Sequence, residues 1–269
     1  MHGIIASHYD AGRRIRLDHP DPFFVTQDYL VTGEPVKIRE AGAIDLATFD
    51  YDQLGRRDKL TLGNGDVTDY GYDAVSRLAT LAHDLVAGGT ANDNLVTLSY
   101  NPASQIVRRE AANSLYAWTG HGSGTTSYAP DGLNRLTAQT TGGSTLAFGH
   151  DARANRLNDE ARSYGYDSEN KARGVAAAPF HYDPLGRLSG AGNAPGTPPA
   201  LAYENYVDNL VAERVPGNAT PSRRHVFGPG TDEPLVWYEG SDRRFLSADE
   251  RGSIVAPARP LSPCASGRP

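Results

Sequence analysis

The sequence predicts an all-β protein made of repeated antiparallel β-hairpins, and three observations point there. A short unit recurs along nearly the whole chain: an aromatic residue, a spacer, Tyr-Asp, two or three residues, then a small residue and Arg, often with Leu. Glycine and proline are abundant, 29 and 18 of the 269 residues, which is too turn-rich for a helical bundle. Fourteen tyrosines stand against 7 Phe and 2 Trp, a balance that suits strands with one wet face better than a dry helical core.

The units follow one another in order. The first is His8-Tyr9-Asp10-Ala11-Gly12-Arg13, and Asp28-Tyr29-Leu30 reads as a worn copy after it. Phe49-Asp50-Tyr51-Asp52-Gln53-Leu54-Gly55-Arg56 and Tyr70-Gly71-Tyr72-Asp73-Ala74-Val75-Ser76-Arg77-Leu78 are well formed. Degenerate copies lie at Tyr100-Asn101, at Tyr128 to Leu136 around Asp131, and at His150-Asp151 through Arg156-Leu157. Tyr164-Gly165-Tyr166-Asp167 precedes the cleanest copy, Phe180-His181-Tyr182-Asp183-Pro184-Leu185-Gly186-Arg187-Leu188, and Tyr206-Val207-Asp208 closes the series.

The unit has a physical sense. An aromatic-x-Tyr alternation puts both rings on one face of a strand. The Asp can bond the backbone two residues on, and Gly then supplies the positive φ of a tight turn. Arg-Leu starts the returning strand, with Leu expected inward and Arg outward. Second turns fall between units, as Gly63-Asn64-Gly65-Asp66 and Gly142-Gly143. One stretch pulls the other way: Leu78, Leu81, Ala82 and Leu85 have helical spacing. The repeat places a returning strand there, and strand is the expectation. Single hairpins are marginal, so the row must stack side by side.

Composition narrows the function. The net charge is −6, without a polybasic run, and only Lys37, Lys59 and Lys171 are lysines. That balance disfavours nucleic acid and anionic membranes as partners. Cys264 is the single cysteine, so neither an internal disulfide nor a cysteine zinc site is expected. Charged and polar residues interrupt the first fifteen positions, which do not read as a signal peptide, and no stretch is apolar enough to span a membrane. The expected location is cytoplasmic as synthesised, with secretion or cell-surface display by a signal-independent route left open.

The Tyr-Asp units resemble the YD repeats of bacterial Rhs (rearrangement hotspot) proteins, relatives of the teneurin and insecticidal-toxin-complex YD-shells. Leu210-Val211-Ala212-Glu213, the run from Arg224 to Tyr238 and the run from Arg243 to Val255 resemble the core approach segment of that family. The resemblance implies a β-hairpin ribbon spiralled into a hollow shell, here a partial and open one. It also implies a non-catalytic container for a toxin encoded at the C-terminus of the same chain, exported by specialised secretion systems. The partners so implied are the encapsulated toxin polypeptide or remaining shell segments, and a secretion-system component.

Residues 1–6 read as an N-terminal extension, 7–256 as the shell segment and 257–269 as a disordered Pro-rich tail. The pattern stops abruptly after Ala256, as a frameshift or a natural short variant would make it, and the expected chain is truncated before its toxin. Asp183-Pro184-Leu185-Gly186-Arg187-Leu188-Ser189-Gly190 matches the spacing linked to self-cleavage in the family, yet it sits inside a regular unit and is expected to be a turn. The other aspartates follow Tyr in fixed register and read as turn formers rather than a carboxylate pair or calcium loop. The eight histidines are dispersed without metal-ligand spacing. Gly120-His121-Gly122-Ser123-Gly124 lacks the P-loop lysine and reads as a hairpin tip. Asn218-Ala219-Thr220 is a sequon without meaning in a bacterial cytoplasm. No catalytic, cofactor-binding or metal residue is therefore assigned. The alternative reading is an adhesive module whose exposed aromatic rows stack on carbohydrate or protein at a cell surface.

Overall fold

The protein is described from a computed structural model covering residues 5–86, 89–117, 120, 124–159, 162–175, 178–192, 199–207 and 209–258. Among these residues every regular element is a strand, apart from two single 3₁₀ turns at Gly89–Ala91 and Ser114–Tyr116. The chain forms two compact units: Met1–Ala117, Asn209–Ala212 and Ala219–Pro269 make the first, and Trp118–Asp208 with Glu213–Asn218 the second.

In the first unit, ten strands pair antiparallel in strict chain order: β1 Ala6–Asp10, β2 Arg13–Asp18, β3 Phe24–Tyr29, β4 Pro35–Glu40, β5 Ile44–Tyr51, β6 Arg57–Leu62, β7 Val67–Tyr72, β8 Leu78–Asp84, β9 Asn94–Tyr100 and β10 Ile106–Ala111. β1 and β10 are the first and last strands of this open sheet. The stretch with helical spacing is strand β8, because Leu81 is held opposite Tyr70 and Val96 by its two neighbours. One face is apolar across the strands. Gln27, Ile38, Ala47 and Leu62 stand in one cross-strand row, and Phe49, Leu60, Thr68 and His83 in the next. Thr68 Oγ1 and His83 Nδ1, both buried in that row, are 3.0 Å apart, while His83 Nε2 is buried without a partner among the described residues.

The same unit contains β20 Arg223–Phe227, β21 Pro234–Glu239, β22 Asp242–Ala248 and β23 Ile254–Ala258, again neighbours in order. They cover part of the apolar face. A Cβ on Gly63 would lie 2.2 Å from the Asp45 carbonyl and 3.1 Å from the Phe245 ring, so the backbone comes close where β22 packs. Val236, Phe245 and Leu235 are fully buried with Ile38, Leu46 and Phe49. β23 continues to Ala258, with Pro257 opposite Leu246. β1 begins at Ala6, and residues 259–269 of the expected Pro-rich tail lie outside the described residues. Among the described residues β23 is the last strand of its sheet, a position that admits proline.

The second unit holds a three-stranded sheet, β11 Thr126–Pro130, β12 Leu136–Thr141 and β13 Ser144–Ala147. It also holds β14 Tyr164–Tyr166, β15 Ala172–Val175, β16 Ala178–Tyr182, β17 Leu188–Ala191 and β18 Leu201–Tyr206, again in chain order. β19 spans Asn209–Arg214 and has residues in both units. Gly142 and Gly143 both take positive φ, 58° and 85°, between the paired Thr141 and Ser144, as the two-residue hairpin requires.

Candidate functional site, the seam between hairpins

The Tyr-Asp unit is a turn built from its own side chain. In Asp52, Asp73, Asp131 and Asp183, Oδ1 accepts from the backbone N–H two and four residues on, each at 2.9–3.0 Å. Oδ2 accepts from Nε of the Arg four residues on, at 2.7 Å in all four copies. Residue three after the Asp is left-handed, as Gly55, Ser76, Asn134 and Gly186. This is the three-residue hairpin with its bulge, and the register slips by one at the residue before each Asp, which is Tyr51, Tyr72, Pro130 or Tyr182. The bonds hold each carboxyl below its ordinary range. For Asp131 the leading cause is the Arg135 guanidinium, and the value falls to about 2. For Asp183 the Arg187 backbone N–H leads. Its carboxylate is thus occupied by the turn, with Pro184 inside the loop.

Weaker copies keep the backbone and change the clamp. Asn101 receives the Gln105 N–H at 2.9 Å, and Asp151 bonds Asn155 rather than Arg156, which lies instead over the Phe148 ring at 4.0 Å. Asp249 turns onto Ser253. Three expectations need correction. Near Asp28 the turn is made by Leu30, whose N–H donates to the Glu34 carbonyl, while Asp28 pairs with Arg39; the Tyr in register is Tyr29. Asp10 lies opposite Arg13 in a two-residue turn, Ala11 and Gly12 both having positive φ, so it is one residue short of the clamp. At Tyr206-Val207-Asp208 the Tyr position belongs to Asn205, and Asp208 lies outside the described residues, as do His121 to Ser123 of the Gly-rich stretch.

The larger departure concerns Arg, which was expected to face out. It lies along the junction with the following hairpin. Arg56 Cζ sits 4.3 Å from the Tyr72 ring centre and Arg77 4.6 Å from that of Tyr100. Nη1 donates onward, from Arg56 to Ser76 Oγ at 3.0 Å, from Arg77 to the Asn101 carbonyl at 3.3 Å and from Arg187 to the Val207 carbonyl at 2.6 Å. In return, the Tyr hydroxyl donates to the carbonyl just after the preceding Arg position. Tyr29 bonds Arg14, Tyr51 bonds Pro35, Tyr72 bonds Arg57, Tyr100 bonds Leu78 and Tyr182 bonds Ala172, at 2.6–2.8 Å. Asn205 Nδ2 does the same to Leu188. These five tyrosines are therefore committed between neighbouring hairpins, whereas Tyr128 is 61% exposed.

One register results at every described seam. The residue three after the Arg position lies opposite the residue three before the next Tyr position. The pairs are Arg16 with Thr26, Lys37 with Thr48, Lys59 with Asp69 and Thr80 with Thr97 in the first sheet. They are Ala138 with Ala147, Asn158 with Ser163, Gly174 with Pro179 and Gly190 with Ala202 in the second unit. Val236 with Phe245 obeys it too, with Glu233 and Ala248 at the Arg and Tyr positions. A strand shifted by one residue would turn its apolar side to solvent, so a fixed seam register preserves the buried face from hairpin to hairpin.

In the first unit, charged pairs join the long sheet to β20–β23. Arg57 pairs with Glu233 and Arg224 with Asp21. Glu40 accepts from both Tyr238 Oη and Arg243 Nε at 2.7 Å, and Arg109 Nε donates to Glu250 at 2.6 Å. Burial opposes ionisation of Glu40, but its bonds to Arg243 and Tyr238 prevail and lower its pKa. Burial pushes the Tyr238 hydroxyl upward. His19 packs edge-on to Phe23, beside Arg224; burial and then that positive charge depress it to about 4. Arg57 and Glu233 also line a cavity of about 290 Å³ with Leu60, Leu81 and Leu235. Among the described residues no group of three or more His, Cys, Asp or Glu could hold a metal, and no helix is long and apolar enough to cross a membrane.

No protein-family model and no curated relative matches the chain. Solved structures do. A TcdB2-TccC3 chain without its hypervariable C-terminal region matches 95% of this chain at a TM-score of 0.62 and 12% identity. The Tc holotoxin pore of Photorhabdus luminescens, carrying a TccC3 variant, matches the same share at 0.56 and 10% identity. This chain spans 17% of the length of either. Its all-β hairpin fold is that of a segment of these Tc toxin chains.

Proposed function

We propose that the chain is a non-catalytic wall segment of an Rhs/YD-type toxin carrier, whose ancestral role is to enclose and deliver a toxin polypeptide. The observation that carries the reading is the seam, in which the Asp of a well-formed unit closes its turn while Tyr29, Tyr51, Tyr72, Tyr100 and Tyr182, with Arg56, Arg77 and Arg187, bond to the neighbouring hairpin. Side chains used this way link successive hairpins within a sheet. The likeness of fold to TcdB2-TccC3 chains supports a toxin-shell context. Asp183, with both carboxylate oxygens accepting from Leu185 and Arg187, serves the turn.

The test uses the locus and its intact product. Downstream of the Ala256 codon, a reading frame that resumes the Tyr-Asp pattern and then changes to an unrelated domain is expected. In that longer product the terminal domain should resist added protease until the shell is opened with denaturant. Digestion at the rate of the free domain, with the shell still folded, would remove the carrier reading. Saturable binding of glycan by the isolated chain would favour the adhesive alternative.

A further inference from the structure

The cavity of the first unit is lined by residues of β6–β8 and of β21 and β22, together with the turns that join β20 to β21 and β22 to β23. At about 290 Å³ it is near the lower end of small-molecule pockets. Leu60, Leu81, Leu235 and Leu246 give it a buried apolar wall, while Thr231, Asp232 and Gly252 of its lining are exposed and open it to solvent. Four carboxylates line it, those of Asp232, Glu233, Asp249 and Glu250. Among the described residues three guanidiniums meet them: Arg57 pairs with Glu233, Arg109 with Glu250 and, at 3.7 Å, Asp249, and Arg251 lies 3.6 Å from Glu250. Glu233 and Asp249 also accept from the Gly230 and Ser253 backbone N–H groups. Glu250 differs. Arg109 and Arg251 both approach its Oε1, and its Oε2 is buried with no hydrogen-bond partner among the described residues, on a side chain 3% exposed. A buried carboxylate oxygen without a donor is costly, and the lining keeps one formal negative charge in excess.

We propose that this cavity binds a small aliphatic ammonium ion, whose charged end donates to Glu250 Oε2 and whose chain lies against Leu60, Leu81, Leu235 and Leu246. The ammonium group supplies the two things the lining lacks, a hydrogen-bond donor and one positive charge. A hydroxyl on the same chain supplies the donor alone, and a carboxylate supplies neither. The apolar wall favours an alkyl chain over a bare inorganic cation. This binding goes beyond the wall role and does not depend on it, since it needs only the packing of the first unit.

Titration calorimetry of residues 1–269 with hexylammonium chloride, hexanol and sodium hexanoate at one ionic strength is the test. Hexylammonium should saturate a single site with a Kd about tenfold or more below that of hexanol, as a hydrogen bond to a charged group implies, and hexanoate should not bind. In methyl-labelled protein, NMR cross-relaxation from the bound hexyl chain should reach the methyls of Leu60, Leu81 and Leu235. Glu250→Gln should bring hexylammonium to the affinity of hexanol with an unchanged far-UV spectrum. Absence of saturation overturns the proposal, as do equal affinities for hexylammonium and hexanol, cross-relaxation to methyls outside the cavity, or full affinity retained in Glu250→Gln. The comparison with hexanol uses the unaltered chain, so it decides the matter even if Glu250→Gln does not fold.

Discussion

The two units share one turn chemistry and differ in what covers it. In the first, Phe49 holds the place three residues before the turn Asp and is 1% exposed. In the second, Tyr128 holds the same place before Asp131 and is 61% exposed. The Asp clamps of the two turns match within a tenth of an ångström. The repeat therefore makes hairpins and seams but not a core. A core arises where β20–β22 lie against the sheet, and among the described residues of the second unit Phe148 and Ala202 are the buried apolar side chains.

That contrast can be broken by substitution. The largest effect is expected at Phe49→Ala, which should cost about 3–5 kcal/mol in chemical denaturation. Tyr128→Ala should stay within about 0.5 kcal/mol. Equal losses at the two sites would mean that the units bury their aromatic places alike. Next comes acid. His19 is neutral in the fold with its pKa near 4, below its unfolded value, so its contribution is complete above about pH 6.5 and is lost as pH falls toward 4. The first unit should weaken by roughly 2–3 kcal/mol across that window. The turn carboxylates, with Asp131 near 2, keep their charge there and fail only below about pH 4. Melting curves at pH 7 and 5, probed by hydrogen exchange in each unit, would separate the two. His19→Phe should flatten the dependence in the first unit.

Glu40→Ala removes the acceptor of Tyr238 and Arg243. A fully buried pair would cost about 3–5 kcal/mol, and the exposure left to Glu40 and Arg243 reduces this to about 2 kcal/mol. An unchanged midpoint would show that apolar packing alone holds β21 and β22 on the sheet. The smallest effect sharpens the comparison by being common to both units. Tyr72→Phe and Tyr182→Phe each delete one seam hydrogen bond and should each cost about 1 kcal/mol. A cost confined to Tyr72 would show that the seam depends on the core above it.

Much of this was readable beforehand, and the misreadings have physical causes. The strands, the Gly142-Gly143 turn and the preference for strand over helix at Leu78 to Asp84 follow from spacing and turn chemistry. Arg was misplaced because strand alternation alone sends it outward. Its own Asp bends it back, and the next Tyr ring gives the guanidinium a surface. The copy at Asp28 was misread because the letters Tyr-Asp and Asp-Tyr look alike, whereas geometry counts from the residue that closes the turn, which is Leu30. The ion pairs Arg57–Glu233 and Arg224–Asp21 join residues far apart in the chain, and no local pattern marks them.

The sequence by itself determined the all-β hairpin order, because turn bonds and side-chain alternation act over a few residues and repeat with the motif. Only the tertiary structure decided which hairpin face became a core, how Arg and Tyr join successive hairpins in one register, and which carboxylates bind β20–β23 to the sheet. Those outcomes depend on surfaces brought together across nearly two hundred residues, where burial and charge complementarity select partners that local spacing does not encode.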